Sequence, residues 1–150
     1  MKTVAVNKAA HRDYEFVETF EAGLVLKGSE VKSVREGRVS LKESYGDVRG
    51  GEVFLVKCHI SPYEAANIFN HDPLRDRKLL LHRREIKRLT GKVQERGLTL
   101  VPTKVFLSDR GRVKVEVALA RGRREYEKRD IIKKRDVDRE IRAEIKKRLR

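Results

Sequence analysis

The stretch Leu98-Thr99-Leu100-Val101-Pro102-Thr103-Lys104-Val105-Phe106-Leu107-Ser108-Asp109-Arg110-Gly111-Arg112-Val113-Lys114-Val115-Glu116-Val117-Ala118-Leu119-Ala120 sets the fold class. Two runs rich in β-branched and aromatic residues flank a four-residue break whose Gly111 supplies the positive φ of a tight turn. Strands are predicted over Leu98–Ser108 and Arg112–Ala120, joined as a hairpin. Upstream, the same pattern recurs in Tyr14–Phe20, Gly23–Leu26, Ser40–Arg49 and Glu52–Ile60, with a second hairpin signal at Arg49-Gly50-Gly51-Glu52.

Two helices are expected between the strands. One covers Ser29–Glu36, with Ser29 able to cap it and Gly37 able to end it. The other runs from about Arg83 to Glu95, with Ile86, Leu89 and Val93 at helical spacing and Gly97 as the stop. Ser61 to Arg77, holding Pro62 and Pro73, reads as an extended loop. Six strands meandering through Asp13 to Arg121 must close or nearly close on themselves. The fold class is therefore mainly β: an OB-type closed antiparallel barrel of about six strands with two or three short helices on its connections.

The chain has 150 residues, enough for one core but rarely two. Its 37 Lys and Arg against 23 Asp and Glu give a formal net charge of +14, which favours polyanionic partners. No stretch longer than seven residues lacks Asp, Glu, Lys or Arg, and Met1 to Asp13 has no apolar signal core, so a cytoplasmic protein without membrane contact is expected. Charged residues are abundant and the only side-chain amides are Asn7, Asn67, Asn70 and Gln94, a balance that points to a thermophilic source.

Charge is concentrated at the C-terminal end. Arg121 to Arg150 holds 14 Lys and Arg against 7 Asp and Glu, half of the net charge in a fifth of the chain. Tyr126 is its only aromatic residue, so this segment cannot form a core of its own. Val137, Ile141, Ile145 and Leu149 recur every four residues and outline one narrow apolar helix stripe. Such a helix is marginal in water. The expected division is a barrel with an N-terminal arm over residues 1–122 and a basic tail over 123–150, disordered when free and helical when docked.

Chemistry-bearing groups are sparse. His11, His59, His71 and His82 lie in separate segments without metal-ligand spacing, and no phosphate-cradling glycine loop or paired-cysteine motif is present. No enzyme activity and no cofactor are expected, although four histidines and 23 acids leave a nuclease arrangement open. Cys58, inside Val53-Phe54-Leu55-Val56-Lys57-Cys58, reads as core packing. Arg75-Asp76-Arg77-Lys78 reads as a basic loop that feeds phosphate contacts at the N-terminus of the second helix. Asn7-Lys8-Ala9-Ala10-His11-Arg12, followed by Tyr14, adds a basic arm suited to single-stranded or loop RNA.

In order along the chain come Asn7-Lys8-Ala9, Phe20-Glu21-Ala22-Gly23-Leu24, Gly28-Ser29-Glu30-Val31-Lys32-Ser33, Ser44-Tyr45, Ile60-Ser61-Pro62-Tyr63, Arg77-Lys78-Leu79-Leu80-Leu81-His82 and Thr99-Leu100-Val101-Pro102. Through these blocks the sequence resembles the SsrA-binding protein family, also called small protein B, whose members act in bacterial trans-translation. The resemblance implies a barrel gripping the tRNA-like domain of tmRNA through Asn7, Lys8, Glu21, Lys32, Arg77, Lys78, Leu81 and His82. It also implies delivery of tmRNA to stalled ribosomes by a monomer. The tail block Gly122-Arg123-Arg124-Glu125-Tyr126-Glu127-Lys128-Arg129, then Ile132-Lys133-Lys134, is similar to the family element that enters the decoding centre and message channel beside rRNA. Tyr126, Glu127, Lys128, Arg129, Ile132 and Lys133 are the tail residues so implied, while Glu127 stands where the family has Asp and Lys134 where it has Glu. From the residues alone, a structural ribosomal protein with an rRNA-threading tail remains the alternative.

Overall fold

A computed structural model describes the backbone of residues 1–123 and 125–148, and the side chains of these except 67, 95, 96, 125–128, 130 and 131. Nine strands and four α-helices are described: β1 (Lys2–Val6), α1 (Lys8–Asp13), β2 (Tyr14–Leu24), α2 (Gly28–Arg35), β3 (Val39–Ser40), β4 (Tyr45–Arg49), β5 (Glu52–Val56), β6 (His59–Ile60), β7 (Arg77–Leu80), α3 (Arg83–Arg96), β8 (Thr99–Leu107), β9 (Val113–Gly122) and α4 (Glu125–Arg148). A 3-10 helix, Glu64–Phe69, lies between β6 and β7.

The main sheet runs β1-β8-β4-β5-β7-β2-β9, all antiparallel, and β9 also pairs with β8. Six strands therefore close into a ring, with β1 added outside β8 and the small β3–β6 pair beside it. The expected hairpins are present: Gly50 and Gly51 have φ of 53° and 80°, and Gly111 has φ of 77°. Closure between β4 and β8 rests on Gly46 opposite Leu100. A Cβ at Gly46 would lie 2.4 Å from Leu100 Cδ2, so the missing side chain is what lets the two strands meet.

β9 runs through both buried clusters. Val113, Val115, Val117 and Leu119 are buried with Phe20, Leu55, Leu79, Leu100 and Leu89 of α3. Its other face buries Ala118 and Ala120 with Val101 under Ala10 of α1, flanked by Tyr14 and Phe16. Cys58 is fully buried in the core, as its apolar run predicted.

Several predicted boundaries are corrected. Tyr14–Phe20 and the start of Gly23–Leu26 form one strand that ends at Leu24, because β9 pairs along it as far as Gly23 and β7 pairs with Gly23 and Leu24. Ser40–Arg49 is interrupted between β3 and β4, where Glu43 has φ of 66° and Ser44 Oγ donates to the Leu41 carbonyl at 2.5 Å. Glu52–Ile60 breaks at Lys57, with φ of 61°. Lys27, not Ser29, occupies the N-cap of α2, with Glu30 accepting from the Lys27 N–H at 2.8 Å. β1 and α1 were not expected, nor was β7, which takes up the end of the supposed 61–77 loop. α3 ends as predicted at Gly97, which is left-handed at φ 62°.

Candidate nucleic-acid interface

β2 and the end of β7 run side by side, Gly23 opposite Leu80, while the β8–β9 hairpin tip leans across them toward α2. Between them lies an open groove of about 670 Å³. Its floor is apolar, with Leu24, Leu26, Val31, Leu80 and Leu81. Its walls carry Glu21, Arg35, His82, Glu85, Arg110, Arg112 and Lys114. Basic walls over an apolar floor suit a polyanion whose bases can leave their stack.

Each wall group has a structural reason for its position. His82 is the N-cap of α3, and Glu85 accepts from its backbone N–H at 3.1 Å. Glu21 faces outward from β2 and accepts from Lys114 Nζ at 2.9 Å, two outward residues on paired strands. Arg35, in the last turn of α2, donates to the Gly111 carbonyl at 3.2 Å and holds the hairpin tip.

Of the residues expected on the RNA face, the groove brings together Glu21, Leu81 and His82. Asn7 and Lys8 line a second hollow with Val39, Ser40, Leu41 and Lys42. There Asn7 is fastened: its Oδ1 accepts from Ala10 N–H at 3.3 Å, and its Nδ2 donates to the Pro102 carbonyl at 2.9 Å. Lys32 is exposed on α2 with Nζ 5.3 Å from the Tyr63 ring centroid. Lys78 faces out of the ring and pairs with Glu52 at 3.2 Å. The structure does not bring all eight residues to one patch.

Arg77 is a correction. It was expected to meet phosphate from a loop, yet it lies on β7 with no exposed surface. Its Nε donates to Glu30, itself fully buried, and its Nη atoms donate to the carbonyls of Cys58 at 2.5 Å, Asp72 at 3.3 Å and Pro73 at 3.2 Å. Arg75 Nη2 donates to the other Glu30 oxygen at 2.6 Å. Burial alone would raise the Glu30 pKa; hydrogen bonds from Arg75, the Lys27 N–H and Arg77 outweigh it and hold the carboxyl below its ordinary value. Nearby, Ser29 Oγ meets His71 Nδ1 at 2.8 Å, and Ser33 Oγ donates to the Ser61 carbonyl at 2.7 Å. This network bolts α2 to residues 61–77.

The tail residues stand on α4. Arg129, Ile132 and Lys133 are exposed, while the side chains of Tyr126, Glu127 and Lys128 lie outside the described residues. Val137, Ile141 and Ile145 are about half exposed and belong to neither buried cluster of the described residues. No described helix is long and apolar enough to cross a membrane.

The family model described as SmpB protein matches residues 4–147. The chain belongs to the SmpB protein family. An SsrA-binding protein of Caldicellulosiruptor bescii is 56% identical over 150 residues, covering 100% of this chain and 94% of the relative. That of Persephonella marina is 55% identical over 146 residues, covering 97% and 95%. Among solved structures, a chain from "tmRNA-SmpB: a journey to the center of the bacterial ribosome" superposes with a TM-score of 0.68 at 46% identity, covering 85% of this chain and 93% of that one. SmpB membership thus spans the barrel and most of the tail. Arg35, Arg110, Arg112 and Lys114 were missed by sequence reasoning, although Arg110 and Arg112 stood in plain view in the predicted turn.

Proposed function

We propose that this protein binds the tRNA-like domain of tmRNA through its barrel and delivers tmRNA to stalled ribosomes in the cytoplasm for trans-translation. The observation that carries the reading is the basic groove, which Glu21, Leu81 and His82 line together in a chain of the SmpB family. The relatives are named as SsrA-binding proteins, and the matched structure is that of tmRNA with SmpB on the bacterial ribosome. Glu21 fits a basic face because a carboxylate accepts hydrogen bonds from base amino groups and ribose hydroxyls.

The same reading gives residues 1–122 the RNA-binding role and residues 123–150 the ribosomal one. Tyr126, Glu127, Lys128, Arg129, Ile132 and Lys133 then act at the decoding centre, beside rRNA in the message channel. An exposed, highly charged helix gains little from its own sequence, so its order is completed on the ribosome, where rRNA offsets its cations. The protein acts as a monomer and contributes no catalysis. Recovering it from cells and sequencing the RNA that accompanies it tests the reading. Enrichment of tmRNA above all other RNA is expected; uniform recovery of rRNA after a high-salt wash would instead identify a structural ribosomal component.

A further inference from the structure

Some cations of the barrel surface are held in ion pairs. Arg49 meets Asp47 and Asp76, each at 2.8 Å; Glu18 meets Arg88 at 2.9 Å and Lys92 at 3.0 Å; Lys114 meets Glu21 at 2.9 Å. The tip of the β8–β9 hairpin instead turns its cations to the groove. Arg110 and Arg112 are exposed on the groove wall and have no acidic partner among the described residues. Asp109, the acid between β8 and these arginines, is engaged elsewhere by the Met1 ammonium at 2.6 Å. Across the groove, Arg35 spends one Nη on the Gly111 carbonyl and meets no carboxylate among the described residues. Three guanidinium groups thus line one opening, none of them in an ion pair among the described residues, with Glu21 and Glu85 as the acids of the same groove.

This convergence is held by the backbone. Gly111, at φ 77°, sits in the left-handed region and aims its carbonyl at α2, where Arg35 receives it. The tip itself is closed by Gly111 N–H donating to the Ser108 carbonyl at 2.8 Å and Arg112 N–H donating to Ser108 Oγ at 3.1 Å. A short hairpin fastened at both its base and its tip spends little entropy when its side chains meet a ligand.

Resting on the tmRNA-binding reading above, we propose that Arg35, Arg110 and Arg112 form a phosphate clamp on the rim of the groove. Planar guanidinium forks match the oxygens of an RNA phosphodiester and bind them in pairs. Lys114 is already committed to Glu21, so it orients the acid that faces the bases while the rim arginines take the backbone. The clamp fixes how deeply the strand enters the groove, and with it which bases reach Glu21 and Leu81. Neither the composition of the tip nor its turn type distinguishes Arg110 and Arg112 from solvated charges; their shared opening with Arg35 does.

The test uses the full chain and the isolated tRNA-like domain of tmRNA, titrated at several salt concentrations. Arg110→Ala with Arg112→Ala should flatten the plot of log affinity against log salt by about two, one for each lost phosphate contact, and lower affinity about tenfold at moderate salt. Arg35→Ala, tested separately, should flatten it by about one. Lysine at both 110 and 112 should restore the slope without fully restoring affinity, because the charge returns and the fork does not. Cooperative melting of each variant verifies its fold. Unchanged slope and affinity in the double alanine variant, while wild type still binds tightly, would overturn the clamp and leave RNA binding by the groove intact. Wild-type protein that shows no affinity for the tRNA-like domain would overturn the reading beneath it as well.

Discussion

Glu30 and Arg77 stand 47 residues apart in sequence and share one buried ion pair. Removing one partner of such a pair strands the other charge, which costs about 3–5 kcal/mol. Glu30→Gln is therefore expected to lower unfolding free energy by that order in urea titrations, with an unchanged denaturant slope. The wild-type contribution has a defined pH direction. A lowered folded pKa means the contribution is complete above the ordinary glutamate value of 4.5 and is lost as pH falls through the lowered one. Stability measured from pH 6 downward should thus fall more steeply in wild type than in Glu30→Gln. Cys58 gives a second prediction at this scale: burial pushes its thiol up to about 11, against a lesser downward pull from Arg77. Thiol reagents at neutral pH should leave the folded chain unlabelled and modify it fully in denaturant; rapid labelling of folded protein would contradict core placement. Cys58 was legible in the sequence because its neighbours are apolar. Arg77 was not, because a charged residue reads as exposed until its distant partner is known, and nothing local links it to Glu30.

Local pattern sufficed for those elements whose partners are adjacent in the chain. The β4–β5 and β8–β9 hairpins could be read from their turn glycines, since positive φ selects the residue directly. β7 could not, because its ladder partners, β5 and β2, are supplied by distant segments and its first residue is a buried arginine. Gly46 was equally silent, though ring closure depends on it. Gly46→Ala should force Leu100 from its position and cost about 1–3 kcal/mol, measured by thermal or urea unfolding; a neutral effect would mean that closure tolerates a wider gap. In α4 the apolar spacing of Val137, Ile141 and Ile145 was visible, whereas its exposure was a matter of tertiary context. A chain ending after Arg123 should accordingly retain a cooperative fold yet fail to support transfer of the peptide tag in reconstituted translation. Tagging at full efficiency would remove α4 from the ribosomal role.

At the scale of the molecule, charge and topology divide the work. The ring carries a groove whose walls are built from β2, α2, α3 with its N-cap, β9 and the β8–β9 turn, so no single window of sequence could display it. Of the candidate site, Glu21, Leu81 and His82 were recovered by family resemblance, and the arginine rim emerged only once the hairpin tip was seen facing α2. Half of the net positive charge belongs to the last thirty residues, yet their long-range attraction is screened within about 8 Å at physiological salt unless they touch phosphate. Arg123 remains fastened to the barrel, its N–H donating to the Asp13 carbonyl at 2.8 Å and its Nε to the Tyr14 carbonyl at 3.1 Å, which makes the following bond the natural place to cut. The most direct measurement is the affinity of the chain ending at Arg123 for the tRNA-like domain of tmRNA, compared with the whole chain at physiological salt. Binding by the barrel predicts affinities within a few-fold of each other; a fall of orders of magnitude in a truncated chain that still melts cooperatively would contradict it and make the tail the principal RNA-binding element.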